Sequence, residues 1–204
     1  MSQMSLSLRH RKGDTKIRAL ILSAGLGTRL KPLTDDTPKP LIEVGGKPII
    51  QHLIEKLWKA GVYQIIVNMH HLPLKMIQVE GVLFSYEKEL LGEEGTIMNL
   101  RDWLNGEPFF AINGDTLSEV DYRELVHLYH QHNVLIRHIE DGVFAGTALY
   151  PNNWFTRMSQ VPHLYRPGVR WIDIGTPEGL EKAREMFTPE FSIKFEYERR
   201  IYFG

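Results

Sequence analysis

Hydrophobic residues fall along the chain in short runs that switch between two periods. Ala19-Leu20-Ile21-Leu22 is unbroken, as a strand buried on both faces of a parallel sheet requires, and predicts a strand near 18–23. Ile50, Leu53, Ile54, Leu57 and Trp58 then recur at helical spacing. Pro48 suits the start of that helix and Gly61 its end. Tyr63 to Asn68 reads as the next strand, completing a strand–helix–strand unit and implying a parallel sheet. The alternation continues with a strand at Val82–Tyr86, a helix from Leu90 through about Leu104 and a strand at Pro108–Ile112. A helix at Tyr122–His132 and strands at Val143–Tyr150 and Val169–Ile172 follow. Thr176 caps a last helix, with Pro177 in its first turn and Leu180, Ala183 and Phe187 along it. The expected class is α/β: a Rossmann-like, mostly parallel sheet with helices on both faces.

Composition narrows the function classes. The chain has 204 residues, 43% of them hydrophobic, enough for one substantial core. Its 24 basic and 25 acidic residues leave a net charge of −1, which argues against a nucleic-acid or membrane-surface protein. There is no cysteine, hence no disulfide framework and no thiolate metal site. No apolar run reaches the roughly 18 residues that a membrane span needs, and the N-terminus carries no apolar signal core. A cytoplasmic protein is expected. Residues 1–16 are polar and basic and read as a leader, 17–188 as the folded domain, and 189–204 as a tail. The tail's Phe191, Ile193, Phe195 and Tyr197 alternate as an edge strand or homo-oligomer contact would.

The chemistry gathers at the ends of the strands. After the first comes Ser23-Ala24-Gly25-Leu26-Gly27-Thr28-Arg29, a glycine turn able to present successive N–H groups to an anion. Ten residues beyond Arg29, Lys39 sits between Pro38 and Pro40, which pushes it towards an extended conformation and makes a stiff arm carrying a point charge. Two cations and a backbone nest converging on one spot point to a polyphosphate. A P-loop is excluded because no Gly-Lys-Ser/Thr follows, and a dinucleotide fold because Leu30 and Asn68 stand where a third glycine and an acid are needed. Pro108–Ile112 ends in Asn113-Gly114-Asp115 and Val169–Ile172 ends in Asp173-Ile174-Gly175-Thr176. One such aspartate can merely cap a turn. Two brought together repel unless a cation sits between them, and Mg²⁺ is held in this way, by carboxylates plus substrate phosphates.

The pattern Gly-x-Gly-Thr-Arg, then Pro38-Lys39-Pro40, then Gly46-Lys47-Pro48 opening a helix, resembles the sugar-1-phosphate nucleotidylyltransferases. The resemblance implies the nucleotide-diphospho-sugar transferase fold. It also implies the reaction of an NTP with a sugar 1-phosphate to give an NDP-sugar and pyrophosphate. It assigns the nucleotide to Ser23, Ala24, Gly25, Leu26, Gly27, Thr28, Arg29, Lys39, Gly92, Asn113 and Gly114. The sugar phosphate falls to Gly146, Thr147 and Asp173, Mg²⁺ to Asp115 and Asp173, and catalysis to Arg29, Lys39 and Asp115. Thr37-Pro38-Lys39-Pro40-Leu41 looks most like mannose-1-phosphate guanylyltransferase, with the phosphocholine cytidylyltransferases and N-acetylmuramate-1-phosphate uridylyltransferases as close alternatives.

The resemblance spans about 17–187 with three departures, one of them a short turn from Leu72 to Gly81. Glu93-Glu94 replace the small residues usual at the base-contacting segment. Between Asn133 and Val143 the family inserts two strands and a Glu-Lys-Pro segment that grips the sugar, and both are missing. A non-catalytic nucleotide-binding regulatory subunit is therefore the second reading. His70-His71 point in different directions as neighbours, make a poor metal pair and read as loop or interface residues.

Overall fold

The structure is a computed structural model that describes residues 16–157 and 161–187. In chain order the elements are β1 (Arg18–Leu22), α1 (Leu33–Asp36), β2 (Glu43–Val44), β3 (Lys47–Pro48), α2 (Ile49–Lys59), β4 (Ile65–Met69), α3 (Pro73–Met76) and β5 (Leu83–Tyr86). They continue with α4 (Gly92–Asn99), α5 (Arg101–Leu104), β6 (Phe109–Asn113), β7 (Thr116–Ser118), α6 (Tyr122–His132), β8 (Ile136–Glu140), β9 (Val143–Tyr150), β10 (His163–Tyr165), β11 (Trp171–Asp173) and α7 (Pro177–Met186). Seven strands form one sheet in the order β10-β8-β9-β6-β1-β4-β5. β1 runs parallel to both β4 and β6, β4 to β5 and β8 to β10, whereas β9 is antiparallel to β6 and β8.

Helices cover both faces. Ile49, Ile50, Leu53, Ile54 and Leu57 of α2 are buried at the expected spacing and pack with α6 and α7 residues against Ala19, Ile21 and Phe110. On the other face Ile97, Leu100 and Leu104 meet Leu20, Phe109 and Trp154. β1 carries alternate side chains to the two cores, which is why its apolar run is unbroken.

Four local readings change. The helix from residue 90 breaks at Leu100 into α4 and α5. Lys39 is not extended: it opens a 3-10 turn, Lys39–Leu41, closed by the Leu41 N–H donating to the Pro38 carbonyl at 2.8 Å. Pro40 fits there because an N–H in a first turn has no partner to lose. Asp173 does not end a parallel strand of the main sheet: β11 pairs antiparallel with β7 in a separate ribbon. Residues 136–140, read without a strand, form β8, joined to β9 by Asp141-Gly142 at φ 50° and 79°, the two-residue turn that matches the twist of a hairpin. The edge strand expected at 189–204, and nearly all of the leader, lie outside the described residues.

Lys56 of α2 is buried beneath β7, where its ammonium donates to the Ser118 carbonyl and lies 4.8 Å from the Tyr122 ring centre. Desolvation lowers its pKa from 10.5 to about 7. Between those values the unfolded chain binds more protons, so this group makes stability rise with pH; below about 7 its burial cost is fully present. Lys56→Met removes that dependence. The melting temperature of the wild type should climb relative to the variant between pH 7 and 10, and parallel profiles would show that Lys56 is not the source.

Candidate active site at the carboxyl edge of the sheet

Because β1 is parallel to β4 and β6, the carboxyl ends of all three open at one edge, where an open α/β sheet binds its ligands. Gly27 takes a left-handed φ of 64°, turning the loop after β1 into the Thr28–Leu30 3-10 turn that carries Arg29. A cleft of about 260 Å³ results, lined by Ser23, Gly25, Gly27, Thr28, Arg29, Lys39, Gly114, Asp115 and Gly175. A second hollow of about 360 Å³ shares Leu22, Gly25 and Asp115 with it and runs on to Ala24, Asn68, Glu87, Gly92, Glu93, Thr96 and Asn113.

Most of the residues expected from sequence thus meet around one space. Leu26 lines neither hollow and is 41% exposed. Gly146 and Thr147 lie apart from both: they are buried in β9, where a Cβ on Gly146 would sit 2.7 Å from Thr116 Oγ1 and Thr147 bonds the Tyr122 hydroxyl. Asp173 lines neither hollow, whereas Gly175, two residues further on, lines the first.

The charges are arranged for a polyanion. Lys39 is buried, and its Nζ meets Asp115 Oδ2 at 2.5 Å. The lysine side chain is 10% exposed and the aspartate side chain 33%, so the pair is part-buried and the carboxylate stays open towards the cleft. The β11–β7 ribbon sets Asp173 opposite Thr116, and the Ile174 N–H donates to the Asp115 carbonyl at 2.8 Å. The two aspartates are therefore backbone neighbours despite a separation of 58 positions in sequence (173 − 115). Asp173 Oδ1 accepts from the Gly175 N–H at 2.6 Å, and a Cβ on Gly175 would lie 2.5 Å from Arg29 Nη2 and 2.8 Å from Asp173 Oδ1. A side chain at 175 would displace the ends of the arginine and the carboxylate from this spot. The donor set suits a hard divalent cation completed by phosphate oxygens; among the described residues no third His, Cys, Asp or Glu joins a metal-binding group.

The second hollow holds a buried network that the sequence did not disclose. Asn68 Oδ1 accepts from the Ser23 N–H at 2.5 Å, and its Nδ2 donates to Glu87 Oε1 at 2.9 Å and Thr96 Oγ1 at 3.2 Å. Thr96 Oγ1 donates to the same Glu87 oxygen at 2.5 Å. Asn68, Glu87 and Thr96 are each 3% exposed or less, so the carboxylate is held in a dry wall facing the hollow. Asn68 follows directly from its strand end, but sequence reasoning used it only to exclude a dinucleotide. Glu87 sits just past β5, a position whose importance depends on the sheet order.

The nucleotidyl transferase family model matches residues 18–141. Mannose-1-phosphate guanylyltransferase catalytic subunit beta of Drosophila melanogaster is 36% identical over 151 residues, 67% of this chain and 41% of that protein. The chain thus spans about two fifths of the length of the curated relatives it matches. Among solved structures, HddC from Yersinia pseudotuberculosis complexed with GMP-PN has a TM-score of 0.68 at 27% identity, covering 84% of this chain and all of that one. A glucose-1-phosphate thymidylyltransferase structure from Bacillus anthracis, 20% identical, has a TM-score of 0.72 over 92% of this chain and 97% of its own, and shares the fold.

Gly114 lines the first hollow, between Asn113 of the second and Asp115 of both. A Cβ there would lie 2.3 Å from Ser23 Oγ and 2.8 Å from the Leu22 carbonyl. Gly114→Ala should push β6 from β1, lower stability by about 1–3 kcal/mol and weaken nucleotide binding more than tenfold. Denaturant unfolding and calorimetry with GTP check both, and unchanged binding would show that this close approach is dispensable.

Proposed function

We propose, for a chain that belongs to the nucleotidyl transferase family, the transfer of a nucleotidyl group from an NTP to a sugar 1-phosphate, with release of pyrophosphate. The observation that carries this reading is the convergence of Arg29, Lys39 and the glycine-turn amides on one cleft beside the neighbouring aspartates Asp115 and Asp173. The triphosphate would lie along the turn, its charge met by backbone N–H groups and the two cations. An acceptor phosphate oxygen attacks the α-phosphorus as the bond to pyrophosphate breaks. That oxygen is already anionic at neutral pH, so no general base is required; orientation and charge neutralisation lower the barrier. Asp115 and Asp173 would hold Mg²⁺, which supplies positive charge where the reacting phosphates meet. A cytoplasmic setting with freely available NTP fits this reading.

Glu87 supports guanine as the base. Among the described residues its Oε2 receives the Leu91 N–H alone, at 3.4 Å, so it keeps acceptor capacity towards the hollow. Guanine alone among the common bases presents two adjacent N–H donors to a carboxylate. The guanylyltransferase relatives and the neighbour solved with GMP-PN agree with this choice, and mannose 1-phosphate is the acceptor that the relatives favour. Phosphocholine and N-acetylmuramate 1-phosphate are the alternatives. One observation favours a regulatory, non-catalytic subunit: the direct Asp141-Gly142 turn between β8 and β9 leaves no sugar-gripping segment there.

Pyrophosphate release measured for four NTPs against several acceptor phosphates should be highest with GTP and mannose 1-phosphate, and should stop on chelation of the metal. Nucleotide binding without pyrophosphate from any pair would favour the regulatory subunit. Asp115→Asn and Arg29→Ala should each cut turnover by about two to three orders of magnitude without unfolding the chain, and retained turnover in both would refute these roles. Glu87→Gln should erase the preference for GTP in the same assay, because the amide offers one donor and one acceptor in place of two acceptors.

A further inference from the structure

His70 and His71 leave the end of β4 in opposite directions, and each reaches a different wall of the nucleotide site. His71 Nε2 lies 2.9 Å from the carbonyl of Thr34 in α1. Thr34 is fully buried, and its Oγ1 donates to the Gly27 carbonyl at 2.8 Å. A Cβ on Gly27 would lie 2.8 Å from the Thr34 methyl, so the glycine turn rests directly on this threonine. Lys75 of α3 ties the same two segments together by donating to the Asp36 carbonyl. His70 Nδ1 lies 2.9 Å from the Glu87 carbonyl, and the Glu87 N–H donates to the Met69 carbonyl at 2.8 Å. Glu87 is thereby held at both ends of its backbone while its side chain faces the second hollow. A carbonyl can only accept, so each contacting ring nitrogen carries its proton.

We propose that these adjacent histidines are positioning residues that divide the site between them. His71 sets the phosphate-binding turn through Thr34, and His70 sets the base-reading carboxylate through the Glu87 backbone. The assignment rests on the nucleotide reading of the cleft. Neither ring touches a hollow, so each acts through another residue.

Side-chain geometry provides a reciprocal test. A glutamine amide nitrogen falls near a histidine Nε2, and an asparagine amide nitrogen near Nδ1. His71→Gln and His70→Asn should therefore keep the bonds that His71→Asn and His70→Gln lose. Calorimetry on the whole protein with GTP, UTP and inorganic tripolyphosphate reads the outcome. His71→Asn should weaken all three ligands alike by roughly three- to tenfold, whereas His71→Gln stays within about twofold of the wild type. His70→Gln should reduce the discrimination between bases and leave tripolyphosphate binding unchanged, and His70→Asn should preserve both. The proposal is overturned if the two variants at either position behave alike, or if the His71→Asn loss is confined to one nucleotide. Preference of the wild type for a base other than guanine would refute the guanine assignment alone, and the His70 variants are then read on the preferred base. A wild type that binds none of the three ligands removes the nucleotide reading and this assignment together.

Discussion

Parallel pairing of β1 with β4 on one side and β6 on the other is the constraint from which the site follows. The register sets Ala19 beside Ile65 and Phe110, and Leu22 beside Asn113. Three chain segments therefore emerge at the same edge with their carboxyl ends aligned: the glycine turn, the Asn68–His71 segment and the Asn113–Asp115 turn. Antiparallel neighbours would have sent alternate segments to opposite edges. The strands are packed on both faces, so the register cannot slip without exposing core residues, and the site inherits the rigidity of the core.

On that frame the protein concentrates interactions that do not favour its own stability. Lys39 gives up most of its hydration to form a short, part-buried pair with Asp115. Arg29 and the Asp173 carboxylate crowd the space over Gly175. Asp115 and Asp173 are neighbours of like sign. The divalent cation proposed above, held together with the polyphosphate, would add positive charge beside the like-signed Asp115 and Asp173. The second hollow follows another logic. There the Asn68–Glu87–Thr96 network binds three polar groups together so that a buried carboxylate keeps one orientation.

Two features fit this division of labour. The β8–β9 hairpin is short and direct, so the half of the sheet beyond β6 adds little to the cleft, and Gly146 and Thr147 are spent on packing against β7 and Tyr122. The histidines after β4 lie behind the site and transmit the rigidity of that strand to both walls.

The sequence by itself determined the fold class and marked the glycine turn, Arg29 and Lys39, and Asp115 and Asp173 as candidates, because each lies in a local pattern whose physical cause is local. An unbroken apolar run, glycines after a strand and an acid at a strand end can all be read without knowing what lies beside them. Asn68, Glu87 and Thr96 could not be read in this way. Each is an ordinary polar residue until the order β1-β4-β5 sets them together, across 19 positions for Asn68 and Glu87 (87 − 68). The antiparallel β11–β7 ribbon, the packing of Gly146 against Thr116, and the opposite reach of His70 and His71 were likewise decided only in three dimensions. Steric room, burial and hydrogen-bond direction belong to pairs of residues distant in the chain, and tertiary structure alone chooses those pairs.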